Sequence, residues 1–152
     1  MICKHSRDRL ALALRRYVAG RISNDDLDDI KVDWRDRGAV AVKKLAWGLY
    51  DDTKSHYASG RYAISSDGKR AVAQWIVFLH SDKEYLWPDY SLGQIFNWPL
   101  NLLTLGWWER RKKVRREEFK QAGDFAAWPF LAMADLANSA SRPRYFAGRV
   151  DN

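Results

Sequence analysis

Two of the three histidines in this chain have carboxylates close to them in sequence, and this spacing could support metal chemistry. Asp52 precedes His56 by four residues, while Asp82 and Glu84 follow His80. On antiparallel helices, two imidazoles and a carboxylate could bind one metal ion. However, neither cluster has HExxH or another specific ligand spacing, and an Asp–His pair four residues apart is ordinary on a helix surface. A small metal-dependent enzyme with a site between His56 and His80 is therefore the second alternative, and no metal ligand is assigned.

Other common catalytic sites are not indicated by the sequence. Ser81 lacks the GxSxG nucleophile elbow, and Cys3 lies close to the N-terminus. The chain has no GxxxxGKS/T loop and no GxGxxG turn, which are the common cradles for phosphates and dinucleotides. We assign no catalytic residue and no cofactor, and catalysis is the less favoured hypothesis.

The polar residues around the two histidines could instead form a recognition patch. Acidic groups beside aromatic side chains, near two predicted helix ends, are suited to contacting a protein partner. Each of them could equally cap or bridge helices within the fold. The candidate binding residues are Asp51, Asp52, His56, His80, Asp82, Glu84 and Tyr85.

A strongly basic segment supports an alternative function, which is nucleic-acid binding. Its cations could follow a phosphate backbone, and neighbouring tryptophans could stack on bases. Against this, the cations surround most of the predicted helix, Glu117 and Glu118 interrupt them, and no helix-turn-helix or RNA-binding signature accompanies them. In this alternative, the basic helix at 107–120 makes its contacts through Trp107, Trp108, Arg110, Arg111, Lys112, Lys113, Arg115 and Arg116.

Residues 92–108 carry no charged side chain, which suggests a membrane contact as one hypothesis. The segment is at the short limit for a spanning helix, and Gln94, Asn97, Pro99 and Asn101 interrupt it. We therefore predict a buried hairpin of two short helices broken at Pro99. Contact with a membrane surface through 92–108, anchored by tryptophans, is the less favoured interpretation.

The sequence predicts a short helix over Ser23–Ile30 that contains four aspartates. Ser23 and Asp26 have the spacing of a capping box, and the helix dipole favours acidic residues in the N-terminal half. An EF-hand loop needs oxygen ligands at alternating positions, a central Gly and a distal Glu, and that spacing is absent. We interpret Asp25, Asp26, Asp28 and Asp29 as a solvated helix start that matches the dipole.

Length and composition indicate a single folded domain. The chain has 152 residues, of which 47% are hydrophobic, with eight Trp, seven Tyr and six Phe, so it can bury a core without disulfides. A single cysteine excludes an internal disulfide, and the N-terminus lacks the apolar region of a secretory signal, so we expect a cytoplasmic location. The formal net charge of +7 allows nucleic acid, an anionic membrane surface or an acidic protein as partner.

Hydrophobic periodicity predicts a predominantly all-α fold. Apolar residues recur at helical spacing in most segments, as at Leu10, Leu14 and Tyr17. We expect a compact bundle of about six to seven helices over 1–138 and an irregular tail over 139–152, and the connector could form a brief extended segment near 60–64. The predicted helices run from Ser6 to Gly20, over Ser23–Ile30, from Asp36 to about His56, from Ser66 to Trp87, through the hairpin at 92–108, over Glu109–Gln121 and from Pro129 onward.

Several stretches resemble those of a group of small bacterial proteins of uncharacterised function. They are RYVAGRISNDDLDD at 16–29, LYDD at 49–52 followed by His56, FLHSDKEYLWP at 78–88 and GDFAAWPF at 123–130. The resemblance covers most of the chain and implies a bacterial origin and a single-domain architecture. It implies no role for any individual residue.

These observations favour a non-enzymatic protein-binding module whose partner is a protein. The chain has the size of one domain, lacks catalytic signatures, and is rich in Trp and Tyr, which commonly anchor interfaces. One specific form of this hypothesis is an immunity- or antitoxin-like protein that blocks a partner toxin.

Overall fold

The computed structural model describes residues 1–51, 53–88, 118 and 121–141. Within these residues five α-helices have described bounds, residues 118 and 121–122 are also helical, and there is no β-strand beyond a single backbone bridge between Ser23 and Tyr57. The predicted all-α fold is therefore confirmed. The helices are α1 (Lys4–Val18), α2 (Asn24–Asp28), α3 (Arg37–Ala46), α4 (Ser66–Leu79) and α5 (Met133–Ser141), and single 3-10 turns cover Trp47–Leu49, Gly60–Tyr62 and Phe125–Ala127.

The centre of the core lies between α1 and α4, whose apolar faces pack against each other. Leu10, Leu14 and Tyr17 of α1 are fully buried, as the periodicity predicts. Phe78 and Leu79 of α4 are buried with the rest of its apolar stripe. The helical spacing of hydrophobic residues gives each helix one apolar face, and burial of that face supplies most of the driving force for folding.

An aromatic layer attaches residues 124–130 to α4. Trp128 packs edge-on against Trp75, with 5.8 Å between ring centroids. The side-chain amide of Gln74 donates to the carbonyl oxygens of Ala126 and Trp128, both at 2.8 Å. Because these contacts use polar and aromatic groups together, they fix the position of the segment and bury its backbone carbonyls without loss of hydrogen bonds.

A buried ion pair ties α1 to the start of α3. Arg7 Nε lies 2.7 Å from Asp36 Oδ2, and Arg7 Nη2 donates to Asp36 Oδ1 at 3.0 Å. The remaining guanidinium nitrogen donates to the carbonyls of Ser81 and Lys83, and the guanidinium stands 4.8 Å from the Phe78 ring centroid. The pair therefore joins α1, α3 and the chain that follows α4 at one point.

Two helix caps follow the predictions closely, and two helix starts differ by one or a few residues. Ser23 and Asp26 form the predicted capping box on α2, and Asp36 caps α3. Ser65, not Ser66, caps α4. The predicted start of α1 at Ser6 is wrong, because Cys3 is the N-cap and its N–H is bound by the Asp36 carboxylate.

The predicted extent of the third helix, from Asp36 to about His56, is wrong. α3 ends at Ala46, and a 3-10 turn over Trp47–Leu49 follows it. The chain then leaves the helix axis because Asn24 Nδ2 binds the carbonyls of Asp51 and Lys54, at 3.2 and 3.1 Å. These contacts across the fold override the local helical pattern, and they leave His56 on a loop.

Other boundaries also differ from the sequence-based expectations. The fourth helix ends at Leu79 rather than near Trp87. Of the segment expected to be extended at 60–64, Gly60–Tyr62 form a 3-10 turn and Ala63 has an extended backbone. The last helix begins at Met133, because the carbonyls of Trp128, Phe130 and Leu131 accept from Gln74, Trp87 and Asp124 rather than from the following turn of a helix. Residues 139–141 are helical rather than irregular, and 142–152 lie outside the described residues.

The predicted hairpin at 92–108 lies outside the described residues, as does most of the helix predicted over 109–121. Of that helix, Glu118 and Gln121 are described, and both are helical. In the described part of the chain, no helix is both long and apolar enough to cross a bilayer.

Candidate functional site

His56 is buried in the loop that follows α3, where it links three parts of the chain. Its backbone N–H donates to Asn24 Oδ1 at 2.7 Å, and its carbonyl accepts from the Asn24 N–H at 3.0 Å. The imidazole stacks on Tyr62 with 4.0 Å between ring centroids. The residue therefore connects the start of α2 to the loop and to the 3-10 turn at Gly60–Tyr62.

Both ring nitrogens of His56 have partners, and those partners define the tautomer. Nδ1 lies 2.9 Å from the carbonyl oxygen of Lys54, which can only accept, so Nδ1 carries the proton. Nε2 then accepts from the hydroxyl of Tyr17 at 3.4 Å. Burial raises the pKa of that tyrosine, which keeps its proton on the oxygen. These contacts support the fold and occupy both ring nitrogens of His56.

His80 is engaged in the same way at the end of α4. Its Nδ1 lies 3.2 Å from Asp8 Oδ1, and its Nε2 lies 3.3 Å from Arg15 Nη2. Because a guanidinium can only donate, Nε2 is the acceptor and Nδ1–H donates to the carboxylate. His80 thus connects the C-terminal end of α4 to two residues of α1 that lie about two turns apart.

The other predicted site residues that the structure describes make contacts within the fold. Asp82 pairs with Lys4 at 3.2 Å, and Glu84 pairs with the N-terminal amine at 3.4 Å. Tyr85 is buried, and its hydroxyl accepts from Trp128 Nε1. Asp51 is exposed, and hydrogen bonds from Thr53 lower its pKa. Asp52 lies outside the described residues.

The predicted recognition patch is divided between the two ends of α1. Asp82 and Glu84 lie beside Lys4 and the N-terminus, whereas His56 contacts Tyr17 near the end of the helix. Thirteen residues of helix separate these points, which is about 20 Å at the usual rise per residue. The antiparallel helix pair that would bring His56 and His80 together is not formed, since His56 is not helical. No group of three metal-ligating side chains occurs among the residues that the structure describes.

A different surface, centred on α2, emerges from the structure. Positions 24 to 29 expose only aspartates, since Asn24 and Leu27 are buried while Asp25, Asp26, Asp28 and Asp29 face solvent. The helix ends at Asp28, and Asp29 is its C-cap. The prediction that all four acids occupy the favourable N-terminal half is therefore wrong, because the helix has only five residues.

Of these four acids, Asp26 and Asp28 have internal partners that explain them. Asp26 accepts from the backbone and side chain of Ser23, and these hydrogen bonds lower its pKa. Asp28 Oδ1 accepts from the indole N–H of Trp47 at 2.8 Å. Within the described ranges, the carboxylates of Asp25 and Asp29 form no ion pair. Lys43 reaches this end of α2, but its ammonium binds the main-chain carbonyls of Asp28 and Ile30.

Two exposed aromatic side chains flank the acids. Trp47 is 61% exposed at the C-terminal end of α2, where Asp28 holds its indole. Tyr57 is 53% exposed at the other end, where its backbone pairs with Ser23. Because α2 is only about 7 Å long, the two aromatic residues are attached close to its acids. We call Asp25, Asp28, Asp29, Trp47 and Tyr57 the α2 face.

Trp47 is the one member of the α2 face whose position in the sequence indicates an exposed aromatic side chain. Trp47 lies off the apolar stripe of α3, on which Ala39, Val42 and Ala46 are buried. Leu45 has the spacing of that stripe but is exposed. A tryptophan outside the buried face of its helix is a candidate for binding, because its large apolar surface has no internal partner to cover it.

The proposed membrane contact at 92–108 lies outside the described residues. So do all residues of the nucleic-acid alternative, which are Trp107, Trp108, Arg110, Arg111, Lys112, Lys113, Arg115 and Arg116. Comparisons of the chain with protein-family models, curated proteins and solved structures found no match. The resemblance to a group of small bacterial proteins stays a prediction. The functional proposal therefore depends on the geometry of the α2 face.

Proposed function

We propose that this chain is a non-catalytic protein-binding module and that the α2 face is its docking surface. The observation that carries the proposal is the pair of exposed, positioned aromatics, Trp47 and Tyr57. Tryptophan and tyrosine provide a large share of the binding energy in protein interfaces. The Trp47 side chain is bound to α2 through Asp28, so little of its conformational entropy is lost when a partner covers it, and the Tyr57 backbone is paired with Ser23 at the start of α2.

The contacts of the two histidine clusters favour binding over catalysis. Each imidazole is occupied by partners within the fold, and these contacts explain the residues without a reaction. The buried Arg7–Asp36 pair is likewise saturated with internal hydrogen bonds. In its specific form, the proposal is that the protein acts like an immunity protein or antitoxin by covering a partner surface.

Affinity capture from a native lysate tests the proposal when variants are compared side by side. The tagged full-length chain should retain a stoichiometric protein partner, and Trp47→Ala or Tyr57→Ala should lose most of it. Trp34→Ala is the matched control, because Trp34 is 77% exposed but lies before α3, a ten-residue helix away from Trp47. The proposal fails if the captured protein is lost equally with the Trp34 variant, or if nucleic acid is retained in place of a protein.

A further inference from the structure

We infer that the surface recognised by the α2 face is cationic, formed by arginine or lysine side chains of a protein; this inference rests on the proposed function. The chain as a whole carries a net charge of +7, yet every exposed position from 24 to 29 is acidic. The charge of the α2 face is therefore opposite in sign to the net charge of the whole protein. Complementary charge is what selects and orients partners at such patches.

The last two acids, Asp28 and Asp29, are placed where they oppose the stability of α2. Asp28 is the last residue of α2 and Asp29 its C-cap, so both lie at the negative end of the helix dipole. Asp25 also faces Asp28 and Asp29 at the spacings of three and four residues, where like charges repel. Lys43 compensates the carbonyls at this end but not the carboxylate of Asp29. A cationic partner would relieve this repulsion.

The aromatic members of the α2 face fit the same partner. A guanidinium or ammonium group binds favourably over the face of an indole or phenol ring, and a neighbouring carboxylate strengthens that contact. The hydrogen bond from Trp47 Nε1 to Asp28 fixes the indole beside a carboxylate. Acidic groups repel a phosphate backbone, so the α2 face selects a protein rather than a nucleic acid.

A nuclear magnetic resonance titration of the isotope-labelled full-length chain with a blocked tetra-arginine peptide tests the inference. The peptide is a sharp probe, because the net positive charge of the protein disfavours its binding elsewhere. We expect shifts in the backbone amides of 25–29 and in the Trp47 indole N–H, which Trp47→Phe identifies. Blocked tetra-glutamate should leave these resonances in place, and salt should weaken the arginine effect.

Two variants distinguish peptide binding at the α2 face from nonspecific electrostatic attraction to the protein. The double variant Asp25→Asn/Asp29→Asn should weaken peptide binding by about fivefold or more, as expected when two nearby charges are removed. Asp67→Asn, at an exposed aspartate in the first turn of α4, should leave it unchanged. The inference is overturned if the α2 resonances do not move, or if the Asp67 variant weakens binding as much as the double variant. Either result would leave the Trp47-dependent capture of a protein, and hence the proposed function, unaffected.

Discussion

At the scale of single residues, the Arg7–Asp36 pair shows how a charge is kept inside this helical core. The Asp36 carboxylate accepts from the backbone of Cys3, Gly38 and Ala39 as well as twice from Arg7. Both partners are buried, so each depends on the other for compensation. A pair of this kind adds modest net stability when intact, but removal of one partner leaves an unpaired buried charge.

We therefore expect Arg7→Met to lower the free energy of unfolding by about 3–5 kcal/mol. Urea denaturation followed by circular dichroism measures this change. Arg9→Met is the matched control, because Arg9 is exposed on the same helix, and it should change stability by less than about 0.5 kcal/mol. Similar losses for the two variants would contradict the structural role of Arg7.

Asp36 also gives stability a defined pH dependence. Burial alone raises the pKa of Asp36, but the hydrogen bonds from Arg7 and Cys3 and the charge of Arg7 outweigh it and hold that pKa below its usual value. A lowered pKa in the folded state means that the carboxylate stabilises the protein at neutral pH, and that this stability is lost as the pH falls below about 4.

The variant Asp36→Asn isolates this contribution, since an asparagine can still cap α3. The gap in unfolding free energy between wild type and variant should be largest at neutral pH and should narrow as the pH falls through the carboxylate range. Denaturation curves recorded across that range measure it. A gap that stays constant with pH would show that folding does not lower the pKa of Asp36.

At the scale of elements, α3 packs against α1 and α4 through a glycine. A Cβ atom at Gly38 would lie 2.7 Å from Phe78 Cε1 and 2.9 Å from Arg7 Nη2, whereas a Cβ at Gly48 would meet nothing within 4 Å. Alanine usually improves a helix by about 1 kcal/mol over glycine. Helix propensity therefore favours Ala at both positions, whereas packing opposes Ala at Gly38.

Gly38→Ala should consequently destabilise the protein by about 1–3 kcal/mol, because the Phe78 ring or Arg7 must shift. Gly48→Ala should be neutral or stabilising by up to about 1 kcal/mol, through loss of freedom in the unfolded chain. Thermal denaturation of the two variants gives the comparison. The packing of α3 on Phe78 would be refuted if both substitutions raised the melting temperature.

α2 is the element in which stability and binding are expected to conflict. Asp29→Asn removes like-charge repulsion and an adverse interaction with the dipole, so it should stabilise the protein by a few tenths of a kcal/mol. The same variant should weaken binding to the α2 face. Stability is measured by denaturation and binding by titration. A variant that is less stable than wild type would show that Asp29 serves the fold.

At the scale of the whole molecule, the sequence predicts what depends on local pattern. The buried faces of α1 and α4 follow from periodicity, and the capping box on α2 follows from the types of Ser23 and Asp26. The end of α3 could not be predicted in this way. It is set by contacts with Asn24, which is more than twenty residues away in sequence.

The candidate site was only partly accessible to sequence reasoning, for the same reason. Residue type makes His56 and His80 candidates for a site, but the imidazole of each contacts side chains of α1, and no local sequence pattern predicts these contacts. The sequence shows the four acids of α2, but whether the helix dipole favours or opposes each of them depends on where the helix ends. The exposure of Trp47 likewise depends on the position of α2 beside α3.

The most direct measurement of the central claim is site-specific photo-crosslinking through the α2 face. A photoreactive phenylalanine analogue placed at Tyr57 should form a covalent adduct with one protein partner in a native lysate, and the same analogue at Trp34 should not. An adduct formed from position 34 but not from 57, or crosslinking from 57 to nucleic acid alone, would contradict the account.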